Sequence, residues 1–326
     1  MLPIYELVGF SRTVDDEGHS PVADGFAEAW GLGRRPQFVR SSASHVFVAP
    51  RPDGEGRVVL RIRPQREEDD NRTLLERSSR AAASWSAADA PVVSAVASSS
   101  GHFTEQQGPY VAHVLTAAEG DTLEERDDLH EHAADWGAAL GRLHLTGHGL
   151  VDVPDATERL RVPAAPSVPA DTAALAVVLR HELDRLPRDP EVHGVLHGDP
   201  EADNVVLTDH GPVLIDFDRV HTGWYAADVA FALRDWGTVA DGVDLDAEVP
   251  RRFLEGYGRV RDPSHEELRW LPLLARVAAV GDLIALGALL AEGRYPDWPG
   301  WAVSLDARLR SHVAALRREL NLPEGG

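Results

Sequence analysis

The chain has 326 residues, 43% of them hydrophobic and 26% charged, an ordinary globular composition with length enough for about two domains. It contains no cysteine, and all 32 of its basic residues are arginine, so disulfides, thiolate nucleophiles, Schiff-base lysines and the Walker-A lysine are excluded. Its 53 acidic residues give a formal charge of −21 at pH 7, which suits a cationic ligand and opposes binding to nucleic acid or an anionic membrane.

The first twenty residues lack a basic flank followed by an apolar stretch, so no signal peptide is expected. The most apolar run, 277–290, is interrupted by Gly281, Asp282 and Gly287, and no membrane span is expected from it. These features predict a soluble cytoplasmic protein. An oligomer is possible, though nothing in the sequence indicates one.

Residues 21–30 have apolar positions at helical spacing. Three β-rich runs follow at 37–40, 45–48 and 58–62, the last two separated by the turn APRPDGEGR. Residues 67–88 are free of Gly and Pro and predict a helix. Residues 92–97 and 110–115 read as two more strands around the loop GHFTEQQG. From about residue 117 helix dominates. Residues 124–145 place Leu129, Trp136, Leu140 and Leu143 on one face. A proline-rich excursion at 151–171 precedes a helix at 172–186. A β-hairpin is expected within 195–216, then helices over 226–236, 248–258, 265–291 and 302–319. The pattern predicts an α+β fold of two lobes. The first, 1–117, is built on an antiparallel sheet; the second, 118–326, is larger and mainly helical.

The informative segment is VLHGDPEADNVVLTDHGPVLIDFD, residues 195–218. If 205–207 pairs with 213–215 about the turn 208–212, Val205 faces Ile215. Asn204 and Asp216 then lie side by side at the open end, since opposed hairpin residues sit about 5 Å apart. An amide oxygen and a carboxylate at one point suit Mg²⁺, which keeps several waters and takes the rest of its shell from phosphates. Asp199 lies on the loop entering the hairpin, where it could take a proton from an attacking hydroxyl.

HGDPEADN matches the H-G-D-x-x-x-x-N catalytic loop of aminoglycoside phosphotransferases and choline kinases, and IDFD matches their metal-binding segment. The chain resembles that family, whose members are protein-kinase-like small-molecule kinases. LGRLH and AADVAFAL also fall where the family has them, the latter as in its homoserine-kinase and stress-response-kinase branch. The resemblance implies a bilobal kinase-like fold, Mg²⁺, and ATP or GTP as phosphoryl donor. It makes Asp199 the catalytic base and Asn204 and Asp216 the metal ligands. His197 orients the loop, and Asp228 accepts backbone N–H bonds from it. Asp218 assists at the metal, contacts the acceptor or caps the next segment.

In the small lobe the family usually places a lysine on the third strand to hold the α- and β-phosphates. Here Arg61 is the basic residue at that position, with Glu76 expected as its helix partner and Glu67 and Glu68 nearer the helix start. A serine-rich turn with Ser42 and Ser44 stands where a Gly-rich loop would cradle phosphates. The base is expected at the hinge near Val114, Leu115 and Ala117. The acceptor pocket is expected in the helical lobe, with Asp235, Trp236, Tyr295 and Trp298 as candidates, because aromatics beside carboxylates suit a cationic hydroxylated molecule.

The leading expectation is phosphorylation of a small-molecule hydroxyl, on an antibiotic or related natural product. A metabolic acceptor such as homoserine or choline comes next, then a protein Ser/Thr side chain. A non-catalytic nucleotide-binding module is the reading from another class, and the intact Asp199, Asn204 and Asp216 set argues against it. GLGRRP lacks the third glycine of a dinucleotide fingerprint, RHELDR and HEHAAD lack the second His of a zinc-protease motif, and no G-x-S-x-G occurs.

Overall fold

A computed structural model describes residues 1–33, 35–66, 70–147, 153–162, 168–239, 242–291, 293 and 297–323. The chain opens with two helices, α1 (Ile4–Ser11) and α2 (Pro21–Ala29). Helix α1 was not among the expected elements. Ile4, Leu7 and Val8 form a short apolar stripe, all buried, and Ile4 and Val8 pack on Ala302 near the other end of the chain.

Strands β1 (Gln37–Ser41), β2 (His45–Pro50) and β3 (Arg57–Pro64) form an antiparallel meander. Helix α3 (Asn71–Ala87) follows, then β4 (Ala95–Val96), β5 (Thr104–Gln107) and β6 (Tyr110–Thr116). The spatial order is β1-β2-β3-β6-β4, with β5 also paired to β6. Residues 104–107, expected as part of a loop, thus form a strand opposite 110–113.

The period-2 alternation of β3 divides its labour. Val58, Leu60 and Ile62 are fully buried on one face, in a core with Phe26, Trp30 and Phe47. Arg61 and Arg63 point to the opposite face, on which α3 lies. There Ser79 of α3 hydrogen-bonds His113 of β6 at 2.8 Å, and His113 is the register partner of Arg61.

Beyond Thr116 come β7 (Asp121–Thr122), α4 (Leu129–Thr146) and α5 (Ala170–Leu183). Four short strands follow: β8 (His193–Leu196), β9 (Val205–Thr208), β10 (Gly211–Leu214) and β11 (His221–Trp224). The remaining helices are α6 (Tyr225–Ala232), α7 (Glu248–Gly258), α8 (His265–Arg269), α9 (Leu271–Leu290) and α10 (Gly300–Glu319). The expected helix over 265–291 is divided at Trp270. Pro272, at the second position of α9, has no N–H to continue the ladder.

Helices α4 and α7 meet backbone to backbone. A Cβ on Gly137 would lie 2.0 Å from the Phe253 carbonyl oxygen, and one on Gly256 would lie 1.7 Å from that of Ala134. Trp136 meets Phe253 edge-on beside this seam, ring centroids 5.0 Å apart.

Helix α9 is long and apolar enough by composition to cross a membrane, which the broken run at 277–290 did not suggest. It packs against α5, α6 and α10, burying Leu274, Val277, Val280 and Ile284.

The expected hairpin forms, with its register shifted by one. Val205 pairs with Leu214 and Val206 with Val213. The turn is only Asp209–His210, closed by Thr208, whose hydroxyl accepts from His210 N–H and donates to the Gly211 carbonyl. Asn204 therefore faces Ile215, whose N–H donates to its carbonyl at 3.0 Å, and Asp216 falls one residue beyond. A second ribbon, β8 with β11, brackets the same loops.

Candidate active site

The segment from His197 to Asn204 is fixed by groups outside it. Asp228, at the start of α6 and 1% exposed, accepts His197 N–H at 2.8 Å and Gly198 N–H at 2.9 Å. It also accepts from His144 Nε2 at 3.0 Å, while Tyr257 donates its hydroxyl to His144 Nδ1 at 2.8 Å. Burial pushes the Asp228 carboxyl up, but the hydrogen bond and charge of His144 outweigh it and hold the group below its usual range. Gly198 has φ +84° and sits where a Cβ would lie 2.1 Å from the Arg219 carbonyl oxygen. Only glycine fits there.

His197 is fully buried, and its two ring nitrogens are spoken for. Nδ1 accepts Asp199 N–H at 3.3 Å, so Nε2 carries the proton and donates to the Ile215 carbonyl at 2.9 Å. Burial lowers its pKa. The ring braces one loop on the other and reaches no open space.

Asp199 stands at the cleft. Its Oδ1 is buried without a hydrogen-bond partner, and Arg219 Nη1 lies 3.7 Å away. Burial, then the charges of Glu201 and Asp216, push its carboxyl up to about 9. Asn204 donates its Nδ2 to the Asp199 carbonyl at 3.0 Å. That fixes the amide so that its oxygen is the end left for a ligand.

Asp216 adopts φ +65°, the left-handed conformation that short polar residues tolerate and that recurs at functional sites. Arg61 grips it with both branches, Nη1 to Oδ1 at 3.0 Å and Nη2 to Oδ2 at 3.2 Å. The same Nη2 donates to Asp218 Oδ2 at 2.7 Å. Arg63 approaches that oxygen at 3.4 Å and donates Nε to Asn71 at 2.7 Å. Burial raises both carboxyls. Arg61 overcomes this at Asp216, whose pKa is lowered, but not at Asp218, whose pKa stays raised.

Glu76 is not the partner of Arg61. It accepts from Arg80 and from the Thr104 hydroxyl, each at 3.0 Å. Ser79, not Glu76, is on the face of α3 that meets His113. Glu67 and Glu68 lie outside the described residues. Ser42 is half-buried and is bracketed by backbone bonds to Leu2 and Ser44. Ser44 is fully buried, with its hydroxyl unpaired.

Val114 and Leu115 are paired on both sides, to β3 and to β4, and Ala117 N–H donates to the Arg57 carbonyl.

A cavity of about 360 Å³ opens between α6, α9, α10 and the ribbon of Gly237–Thr238 with Gly242–Val243. Asp235, Asp282 and Glu319 bring carboxylates to its wall; Arg234 and Phe231 also line it. Asp282 is tied to Arg219 at 2.6 Å and Arg159 at 3.5 Å, and Arg234 is paired with Glu201. Thus Arg219 spans Asp282 and Asp199. Trp236 stacks edge-on to Trp136 in the core instead. Trp298 packs with Ile4, Val8 and Ala302 against the N-terminal helix, and Tyr295 lies outside the described residues. Asp282 was missed from sequence, yet it had a signal: it is the one carboxylate in the apolar helix α9.

The chain matches the sequence model of the phosphotransferase enzyme family over residues 37–271. It belongs to that family. A homoserine kinase from Bradyrhizobium sp. (strain ORS 278) is 39% identical over 179 residues, covering 51% of this chain and 52% of that protein. The chain thus matches about half the length of this curated relative. An amicoumacin kinase in complex with AMP-PNP and Ca²⁺ superposes with a TM-score of 0.70 at 16% identity, covering 98% of each chain. A microcompartment-associated aminopropanol kinase gives 0.65 at 18% identity, covering 92% of this chain and 97% of that one. The fold is the bilobal kinase-like one.

The family implies a divalent ion. Among the described residues no three His, Asp or Glu side chains converge as a ready-made cage. A Mg²⁺ shell made mostly of water and phosphate needs only one or two protein oxygens. Asp216 with the Asn204 amide oxygen supplies hard donors of the right kind, and Asp218 Oδ1 is buried without a partner beside them. The donor set fits the ion.

Proposed function

We propose that this phosphotransferase moves the γ-phosphoryl group of ATP or GTP to a hydroxyl of a small amine-bearing molecule. Residues 1–117 would carry the nucleotide and 118–326 the acceptor. The observation that carries the reading is the carboxylate-lined cavity of about 360 Å³ whose wall residue Asp282 connects through Arg219 to Asp199. Homoserine and aminopropanol, named in two relatives, each join a hydroxyl to an amine. The metabolic amino-alcohol reading therefore leads, and an antibiotic acceptor is second.

Mg²⁺ at Asp216 would offset part of the negative charge that otherwise helps push Asp199 up to about 9, and Asp199, ionised, would then accept the proton of the attacking hydroxyl as the oxygen forms its bond to the γ-phosphorus and the β–γ bridge breaks. Asp228 and His197 hold that carboxylate still, so the alcohol meets it in one orientation. Asp216 and Asn204 would hold Mg²⁺, which neutralises phosphate charge when bound. Arg61 would serve the phosphates, and Asp235 and Glu319 would attract the ammonium group.

The test is ADP or GDP release, with both donors, over a panel of homoserine, aminopropanol, ethanolamine, choline and aminoglycosides. Each active acceptor is then checked for a phosphate-sized mass gain. Stimulation by an amine-bearing alcohol supports the reading. Release that no amine-bearing alcohol stimulates, or only amine-free alcohols stimulate, defeats it.

A further inference from the structure

We propose that Arg61 is a resident counter-ion of the metal-binding carboxylates, so that divalent metal and nucleotide load together and neither binds well alone. The inference rests on the kinase reading of the site and concerns how that site fills.

Arg61 has no carboxylate partner on α3, because Glu76 is turned to Arg80 and Thr104. It is 5% exposed and finds its compensation across the cleft, bidentate on Asp216 and single on Asp218. A buried guanidinium without an anion is very unfavourable, and so is a buried carboxylate without a cation. In the cluster of Arg61, Arg63, Asp216 and Asp218 two guanidiniums face two carboxylates, and the N-terminal ammonium adds positive charge near them.

A divalent ion arriving alone must therefore compete with a well-made fork for Asp216, and it would leave the guanidinium with its single bond to Asp218, on an oxygen that Arg63 also approaches. A nucleotide arriving alone finds Arg61 committed. When both arrive together, the metal takes the carboxylate and the phosphates take the guanidinium. Each charge exchanges one partner for another and none is left bare. Arginine suits this exchange because its planar fork matches carboxylate and phosphate equally.

The inference gives Arg61 two effects of opposite sign. Arg61→Gln should bind Mn²⁺ in the absence of nucleotide about tenfold tighter than the unaltered protein, within the usual range of coupling between sites, and should bind ADP more weakly. Free Mn²⁺ is read by electron paramagnetic resonance and ADP by calorimetry, with no acceptor present. Mn²⁺ affinity that is unchanged or weaker in Arg61→Gln overturns the proposal.

Because the substitution strips buried Asp216 of its fork and leaves Asp218 with Arg63 at 3.4 Å, a second measurement uses the unaltered protein. The thermal shift given by Mn²⁺ with ADP should exceed the sum of the shifts each gives alone, and additive shifts overturn the proposal. If the unaltered protein binds no Mn²⁺–ADP at all, the kinase reading falls with it; binding without synergy removes only the counter-ion role.

Discussion

Asp228→Asn tests how the loop carrying Asp199, the proposed base, is held. The Asp228 carboxylate accepts three buried hydrogen bonds, from His197 N–H, Gly198 N–H and His144 Nε2. Asparagine keeps the volume but turns one oxygen into an NH₂ that must face a donor. Hydrogen bonds to a charged group contribute about 1.5–3 kcal/mol, and an unsatisfied buried donor costs about 1–3 kcal/mol. Losing the charge at all three bonds and misdirecting one of them comes to roughly 3–4 kcal/mol. At about 2–4 °C per kcal/mol for a large domain, Tm should fall by on the order of 10 °C. The loop carrying Asp199 should also loosen, and a shift of about 1 Å can cost about a hundredfold in rate. The assays are thermal denaturation and turnover with the best acceptor, at a temperature where the variant is folded. We expect kcat to fall far more than the KM for nucleotide changes. An unchanged Tm with unchanged kcat would refute the idea that Asp228 braces the loop.

Asp199→Ala should abolish phosphoryl transfer while leaving nucleotide affinity, read by calorimetry, within about threefold of the parent, because the residue meets the acceptor hydroxyl and not the phosphates; equal loss of binding and turnover would contradict that role. Gly256→Ala should lower Tm by several degrees, since its methyl meets the Ala134 carbonyl oxygen across the α4–α7 seam and overpacking costs about 1–3 kcal/mol or more; an unchanged Tm would mean that the helices separate freely. Asp171 is held below its usual pKa chiefly by hydrogen bonds from Arg317. A depressed carboxyl adds stability above its unfolded pKa of about 3.9 and loses that contribution as pH falls through the depressed value. Asp171→Asn should therefore melt below the parent at pH 7, with the gap closing below pH ~4; a gap that persists there would show that charge is not the cause.

The catalytic loop was legible because HGDPEADN fixes residue types whose spacing needs no knowledge of packing. The role of Asp228 as receiver of loop N–H groups was also readable and is found as expected. The hairpin register was not, since whether 208–212 is a five-residue loop or a two-residue turn depends on the Thr208 hydroxyl closing it. Helix phase misled the choice of Glu76: the residue type was right for pairing with Arg61, but on α3 that side chain faces Thr104. Aromatic content misled the search for the acceptor wall. Trp236 and Trp298 serve packing, while the cavity wall takes Asp235 from just after α6, Asp282 from α9 and Glu319 from α10. Asp235 and Asp282 carry signals in the sequence, but that the three meet is decided by tertiary folding.

The seam between α4 and α7 has a consequence for how such a protein can diversify. His144 and Tyr257, one from each of these helices, carry the mounting of the loop with Asp199 through Asp228. The cavity of about 360 Å³ draws its wall from α6, α9 and α10; α6 also carries Asp228, and Asp282 reaches Asp199 through Arg219. Substitutions on α10 and elsewhere on α9 can therefore reshape the wall without loosening the anchor, so a lineage can exchange one customer for another while its chemistry stays in working order.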